Sequence, residues 1–91
     1  MTQEELKDIL VSMGYEDSIV FESPSYTNAV IGISDSGQVC YSYEKMALCL
    51  IEEDGMTYED AIDFIDYNTV RALPYCNPSE NRPIIIYDLP V

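Results

Sequence analysis

Apolar residues recur at helical spacing in some stretches of this chain and run together in others, and the changes of pattern divide it into elements. Leu6, Ile9, Leu10 and Met13 lie at helical spacing behind Thr2-Gln-Glu-Glu5, a capping box in which a hydroxyl and a carboxylate satisfy the first free amides of a helix. Gly14 can take the left-handed conformation that closes such a helix, so the first helix is predicted over residues 3–13. Residues 15–28 are irregular, with 18–21 predicted as a short edge strand that Pro24 ends. The clearest signal follows. Aliphatic and aromatic runs at 29–33 and 38–43 flank the polar turn Asp35-Ser36-Gly37, whose glycine can supply a positive φ, and together they predict a β-hairpin.

Ser42 is placed to cap a second helix over residues 43–54, with an apolar stripe of Met46, Ala47, Leu50 and Ile51, Tyr43 one turn earlier, and Gly55 as its stop. Thr57 opens a third helix with Asp60 reaching back in capping-box fashion, and Ala61, Ile62, Phe64 and Ile65 form its buried face. This helix is predicted from residue 58 to about 67, with 68–73 able to extend it and Pro74 ending it. Residues 75–82 read as a loop. The continuous β-branched run at 83–87 reads as a closing strand buried on both faces and packed beside the hairpin. The sum is one small α+β domain over residues 1–91: a helix, a hairpin, two consecutive helices and a closing strand.

Charge changes what this domain can meet. Seventeen acidic side chains stand against four basic ones with no histidine, for a net charge of -13. Self-repulsion on that scale opposes compaction. It also excludes nucleic acid and anionic membrane surfaces as direct partners and makes a basic protein surface the natural complement. An apolar content of 47 % argues against disorder. The eight tyrosines are expected as half-buried rings at the edge of a thin core, or in an interface that could include a second copy of the chain. Cys40, Cys49 and Cys76 are an odd, scattered set that points to a reducing compartment, with Cys49 on the apolar face of the second helix. The acidic N-terminal segment has no signal-peptide pattern and no apolar run approaches a membrane span, so a cytoplasmic protein is expected.

Catalytic chemistry finds few parts here. Without histidine there is no Cys-His or Ser-His pair, and the four glycines are isolated rather than gathered in a phosphate loop. Asp60 with Asp63, or Glu59 with Asp63, would share a helix face and could hold Mg²⁺ or Ca²⁺ with water, but so small a domain offers little cleft. The expectation is a non-enzymatic protein with no catalytic residue, metal or cofactor.

The densest acidic stretch places Glu52, Glu53, Asp54, Glu59, Asp60, Asp63 and Asp66 within fifteen positions. Glu59 and Asp60 suit the first turn of a helix, where carboxylates complement the macrodipole. Glu52, Glu53 and Asp54 end a helix, where the dipole opposes them, and Asp66 lies late in the next unless Arg71 relieves it. Two readings stand: a solvated face, or a recognition face. Along a regular helix, Glu59 to Asp66 would span roughly 10 Å at about 1.5 Å per residue, or one charge per ~2.6 Å, of the same order as duplex DNA at one per ~1.7 Å. Such a row can enter a basic groove built for nucleic acid.

The segment from Met56 to Tyr75, containing Tyr67-Asn-Thr-Val-Arg71-Ala-Leu-Pro74-Tyr75, together with Pro83-Ile-Ile-Ile86 and the hairpin with Tyr41-Ser-Tyr-Glu-Lys-Met46, resembles a family of short acidic proteins of bacteriophages and Firmicutes prophages. The resemblance covers roughly residues 20–87 and carries no catalytic assignment. It implies a phage-associated accessory protein acting in the host cell, a class that includes anti-restriction and anti-CRISPR inhibitors, so the implied partner is a nucleic-acid-binding defence nuclease. Within the motif, Arg71 is expected either to pair with Asp66 or Asp63 and lock the helix end against the closing strand, or to form an interface anchor with Tyr67 and Tyr75. The alternative function is a structural or oligomeric module that binds through tyrosines and the hairpin edge.

Overall fold

A computed structural model describes residues 1–90 and contains six regular elements. They are α1 (Gln3–Ser12), β1 (Val30–Ile33), β2 (Val39–Ser42), α2 (Tyr43–Asp54), α3 (Tyr58–Phe64) and β3 (Ile84–Ile86). The small α+β fold predicted from the apolar pattern is the fold observed.

Local chemistry explains the helix boundaries. Both halves of the Thr2–Glu5 capping box form, at 3.1 and 3.0 Å. The Ser42 hydroxyl accepts from Lys45 N at 3.1 Å, and Gly55 closes α2 with φ +68. At α3, Thr57 accepts from Asp60 N at 3.2 Å, but the reciprocal bond seen in α1 is not made. Gly37 turns the hairpin at φ +90, and the Tyr15 ring lies where a Cβ would stand, so the turn needs glycine for backbone and for space.

β2 is the central strand, all four of its residues buried. β1 pairs with it antiparallel, with a bulge between Val30 and Gly32, and β3 pairs parallel, Cys40 opposite Ile84 and Ser42 opposite Ile86. A parallel neighbour needs a crossover, which α2, α3 and the segment after them supply. The core joins Leu6 and Leu10 of α1, Tyr41 of β2, Met46 and Leu50 of α2, and Ile65.

Four expectations are corrected here. β3 is a half-buried edge strand of three residues, with Ile86 exposed, because a chain this short cannot cover both faces of an outer strand. Residues 18–21 form no strand: the Ile19 amide bonds to Asn81 O, the Phe21 amide donates to the Tyr41 hydroxyl, and Gln3 donates to Phe21 O, so no ladder propagates. Only half of the α1 stripe is inside, since Leu6 and Leu10 are buried while Ile9 and Met13 are exposed. The tyrosines divide rather than sharing the core edge. Tyr15 and Tyr43 are half-buried against the core as expected, but Tyr26 and Tyr41 are fully buried and Tyr58, Tyr67, Tyr75 and Tyr87 are exposed.

Asp88 ties the end of the described chain to the start of α2. Its carboxylate accepts from the buried Ser42 hydroxyl at 2.7 and 2.8 Å and from Glu44 N at 3.2 Å. Those bonds hold its pKa below the ordinary aspartate value. A depressed carboxylate pKa stabilises the fold above the unfolded-state value of about 4, and that stabilisation disappears as pH falls through the lower folded value. Asp88→Asn is therefore expected to melt below the parent at pH 7, with the gap narrowing as the pH drops below about 4. Melting curves of both proteins across pH check this, and a gap independent of pH would refute it.

Candidate functional site

The acidic stretch occupies the end of α2, the turn at Gly55, α3 and the first residues beyond it. All seven carboxylates predicted as recognition residues are exposed. The only ion pair among the described residues, Lys7–Glu22 at 3.3 Å, lies elsewhere. Glu52, Glu53 and Asp54 stand at the C-terminal end of α2 with no basic residue in its last turn, and Glu59 and Asp60 stand in the first turn of α3, as the sequence placed them.

The regular row of charges is interrupted. α3 ends at Phe64, and residues Ile65–Thr69 make a π-helical turn in which Val70 N donates to Ile65 O. Asn68 Nδ2 supplies a bond to the Phe64 carbonyl at 3.2 Å. A 3₁₀ segment, Val70–Tyr75, follows and includes Pro74, so the helical path continues one residue past the proline expected to end it. Asp66 falls in the π turn and accepts from the Tyr43 hydroxyl at 2.7 Å, which draws it towards the start of α2. Burial and this bond to a carboxylate push the Tyr43 hydroxyl well above its usual pKa. The Tyr58 hydroxyl donates to Glu44 at 3.0 Å, and that bond to a carboxylate raises its pKa.

Four of the remaining six carboxylates border two separate hollows. Glu53 and Asp54 line one with Pro24 and Phe64, and Glu59 and Asp63 line another with Tyr58 and Ile62. Among the described residues, no three Cys, Asp or Glu side chains are gathered so as to hold a metal ion. The buried thiols of Cys40 and Cys49 are pushed up in pKa by desolvation, which disfavours the reactive thiolate. No helix of the described residues is long and apolar enough to cross a membrane.

Arg71 pairs with neither Asp66 nor Asp63. Its guanidinium lies over the Tyr67 ring, 5.1 Å from the centroid, a cation–π contact one turn apart. Asp66 is relieved by Tyr43 instead. Tyr67 and Tyr75 are 69 % and 83 % exposed, so the members of the proposed anchor all reach solvent, with Tyr67 and Arg71 in contact.

One feature of this region has no signal in the apolar spacing. The π turn and the 3₁₀ segment face residues 21–26 across a cavity of about 230 Å³ walled by Phe21, Tyr26, Phe64, Leu73 and Cys76. Tyr26 holds the left-handed conformation at φ 52, which costs a residue other than glycine about 1–3 kcal/mol. Its ring is buried edge-on to Phe21 at 5.6 Å, and its hydroxyl bonds to Thr69 of the π turn at 3.0 Å. The walls come from segments some forty residues apart, so only folding assembles them. No protein family, curated protein or solved structure matches this chain.

Proposed function

We propose that this protein is a non-enzymatic inhibitor that binds a basic, nucleic-acid-binding surface of a host defence protein, in the manner of phage anti-restriction or anti-CRISPR proteins. Recognition runs through Glu52, Glu53, Asp54, Glu59, Asp60, Asp63 and Asp66. The observation that carries this reading is that all seven carboxylates are exposed and none is paired with a cation within the described residues. Of the four cations, Lys7 pairs with Glu22, Arg71 covers Tyr67, Arg82 is half-buried with a guanidinium N–H on Cys76 O, and Lys45 is exposed in the first turn of α2, at the opposite end of that helix from Glu52, Glu53 and Asp54. A groove lined by lysine and arginine would therefore meet an uncompensated negative field, which steers encounter and opposes acidic competitors. The resemblance to short acidic phage proteins supports the same class of partner.

Capture of partners from host lysate followed by mass spectrometry identifies the target. Affinity for it is expected to fall at least tenfold between about 50 and about 500 mM salt, as the Debye length shortens from over 10 Å towards about 4 Å. A salt-indifferent complex would refute the reading.

A specific observation favours the second reading, a module that pairs through the hairpin edge. β1 is an outer strand with Ile31 exposed, and Ile9 and Met13 of α1 border the same hollow, whose lining contains no charged side chain. An uncovered outer strand offers unpaired backbone groups for pairing, here over the few residues of β1 beside its bulge. Under this reading the complex is insensitive to salt, and a charged substitution at Ile31 disrupts it.

A further inference from the structure

We infer that the hollows on either side of Pro24 and Phe64 form one two-part docking groove: the cavity between Phe21 and Leu73 takes an apolar side chain of a basic partner, and the hollow bordered by Glu53 and Asp54 takes a neighbouring lysine or arginine. The inference rests on the reading above that the partner is basic, and it names how part of that partner is held.

The two hollows share Ser23, Pro24 and Phe64 in their walls, so they lie side by side with these residues between them. They differ in chemistry. The first is lined mainly by apolar side chains; its Tyr26–Thr69 hydroxyl pair is already satisfied at 3.0 Å, and Glu22, the carboxylate in its lining, is paired with Lys7. A polar ligand would gain little there. Its volume of about 230 Å³ lies below the roughly 300–1,000 Å³ of small-molecule sites and suits a single aliphatic or aromatic side chain. The second is about 390 Å³, more polar, and carries two exposed carboxylates that accept no hydrogen bond and pair with no cation within the described residues. Charge complementarity therefore selects a basic group at that end and excludes an acidic one.

Two departures from regular backbone wall the first hollow: the left-handed Tyr26 and the π turn that places Asn68 and Thr69. π turns and non-glycine residues at positive φ gather at functional sites, and here one hydroxyl–hydroxyl bond joins the two. A few anchors in desolvated pockets, aromatic side chains prominent among them, carry most of the energy of protein interfaces, while exposed charges set steering and orientation. The groove supplies the anchor that the acidic face lacks.

Three capped glycine–serine peptides test this against the isotope-labelled chain by NMR titration. The first carries Phe and Lys, the second replaces Phe with Ser, and the third replaces Lys with Gln. The first is expected to bind at least tenfold more tightly than either other, about 1.4 kcal/mol, and to shift the amides of Glu53, Phe64, Leu73 and Cys76. Ala72→Trp, which projects into the first hollow from an exposed position, is expected to weaken the first peptide at least tenfold and leave the second unchanged. The chain has no other tryptophan, so that indole also reports occupancy by its emission. Equal binding of the first two peptides overturns the apolar half of the groove. If that binding is also lost on charge reversal of α3, the acidic reading stands without the groove. Equal binding of the first and third overturns the acidic half and counts against a basic partner. Shifts confined to Glu59 and Asp63 overturn the placement altogether. The peptide series on the unaltered chain decides the matter even if Ala72→Trp fails to fold.

Discussion

Reversing Glu53, Asp60 and Asp63 to lysine is expected to weaken binding to a basic partner by a hundredfold or more while leaving the domain folded. Each reversal replaces an attraction by a repulsion, and like charges set against one another at an interface cost several kcal/mol, with about 1.4 kcal/mol for each factor of ten. The three residues suit the experiment because their carboxylates accept no hydrogen bond and join no ion pair within the described residues, and all are exposed. Exposed substitutions usually change stability by less than about 0.5 kcal/mol. Asp60→Lys loses a favourable dipole contact of about 0.3–1 kcal/mol in the first turn of α3, while Glu53→Lys gains one of similar size at the end of α2. Each change also moves the net charge of -13 two units towards zero. Titration calorimetry with the captured partner, beside circular dichroism of the variant, separates binding from folding. A folded variant that binds with unchanged affinity would show that these carboxylates only solvate the surface.

Tyr41→Ala is expected to bring the domain close to unfolding. Tyr41 is wholly buried in the central strand and packs on Phe21 at 4.8 Å between ring centroids. Truncating a buried aromatic ring costs about 3–5 kcal/mol, and small domains have only about 5–15 kcal/mol in total. The change also strands the Phe21 amide, which now donates to the Tyr41 hydroxyl at 3.3 Å. Tyr41→Phe keeps the ring but strands the same amide, at about 1–3 kcal/mol, or a melting shift of roughly 4–24 °C for a domain of this size. Burial pushes the Tyr41 hydroxyl up to about 12. Its neutral form is favoured in the fold, so its contribution is intact below the unfolded value of about 10 and is lost as pH rises towards the folded one. Tyr41→Phe should therefore flatten part of the alkaline loss of stability. Denaturant titrations of the three proteins at neutral and alkaline pH check both statements, and a Tyr41→Ala midpoint close to that of the parent would refute the first.

The sequence by itself determined the features whose causes are local. The Thr2–Glu5 box, the Ser42 cap, Gly55 in the left-handed conformation and the hairpin around Gly37 each depend on groups within a few residues of one another. Spacing of apolar positions therefore located α1, the hairpin and α2 closely, and α2 at residues 43–54 in full. The exposure of the seven acidic residues followed from their place opposite or beyond the apolar stripes. Tertiary structure alone decided the rest, because it depends on segments distant along the chain. An isoleucine run reads the same at the edge or centre of a sheet, and pairing with β2 made it an edge. The charge on Asp66 is met by Tyr43, twenty-three positions away, instead of by the nearby Arg71, which lies over Tyr67. Helical periodicity does not distinguish an α from a π turn at Ile65–Thr69, where Thr69 meets Tyr26 across forty-three positions. Asp88 became the second cap of α2 only once β3 had aligned beside β2. The cavity at Phe64 exists for the same reason: its two walls belong to segments that meet only in the folded chain.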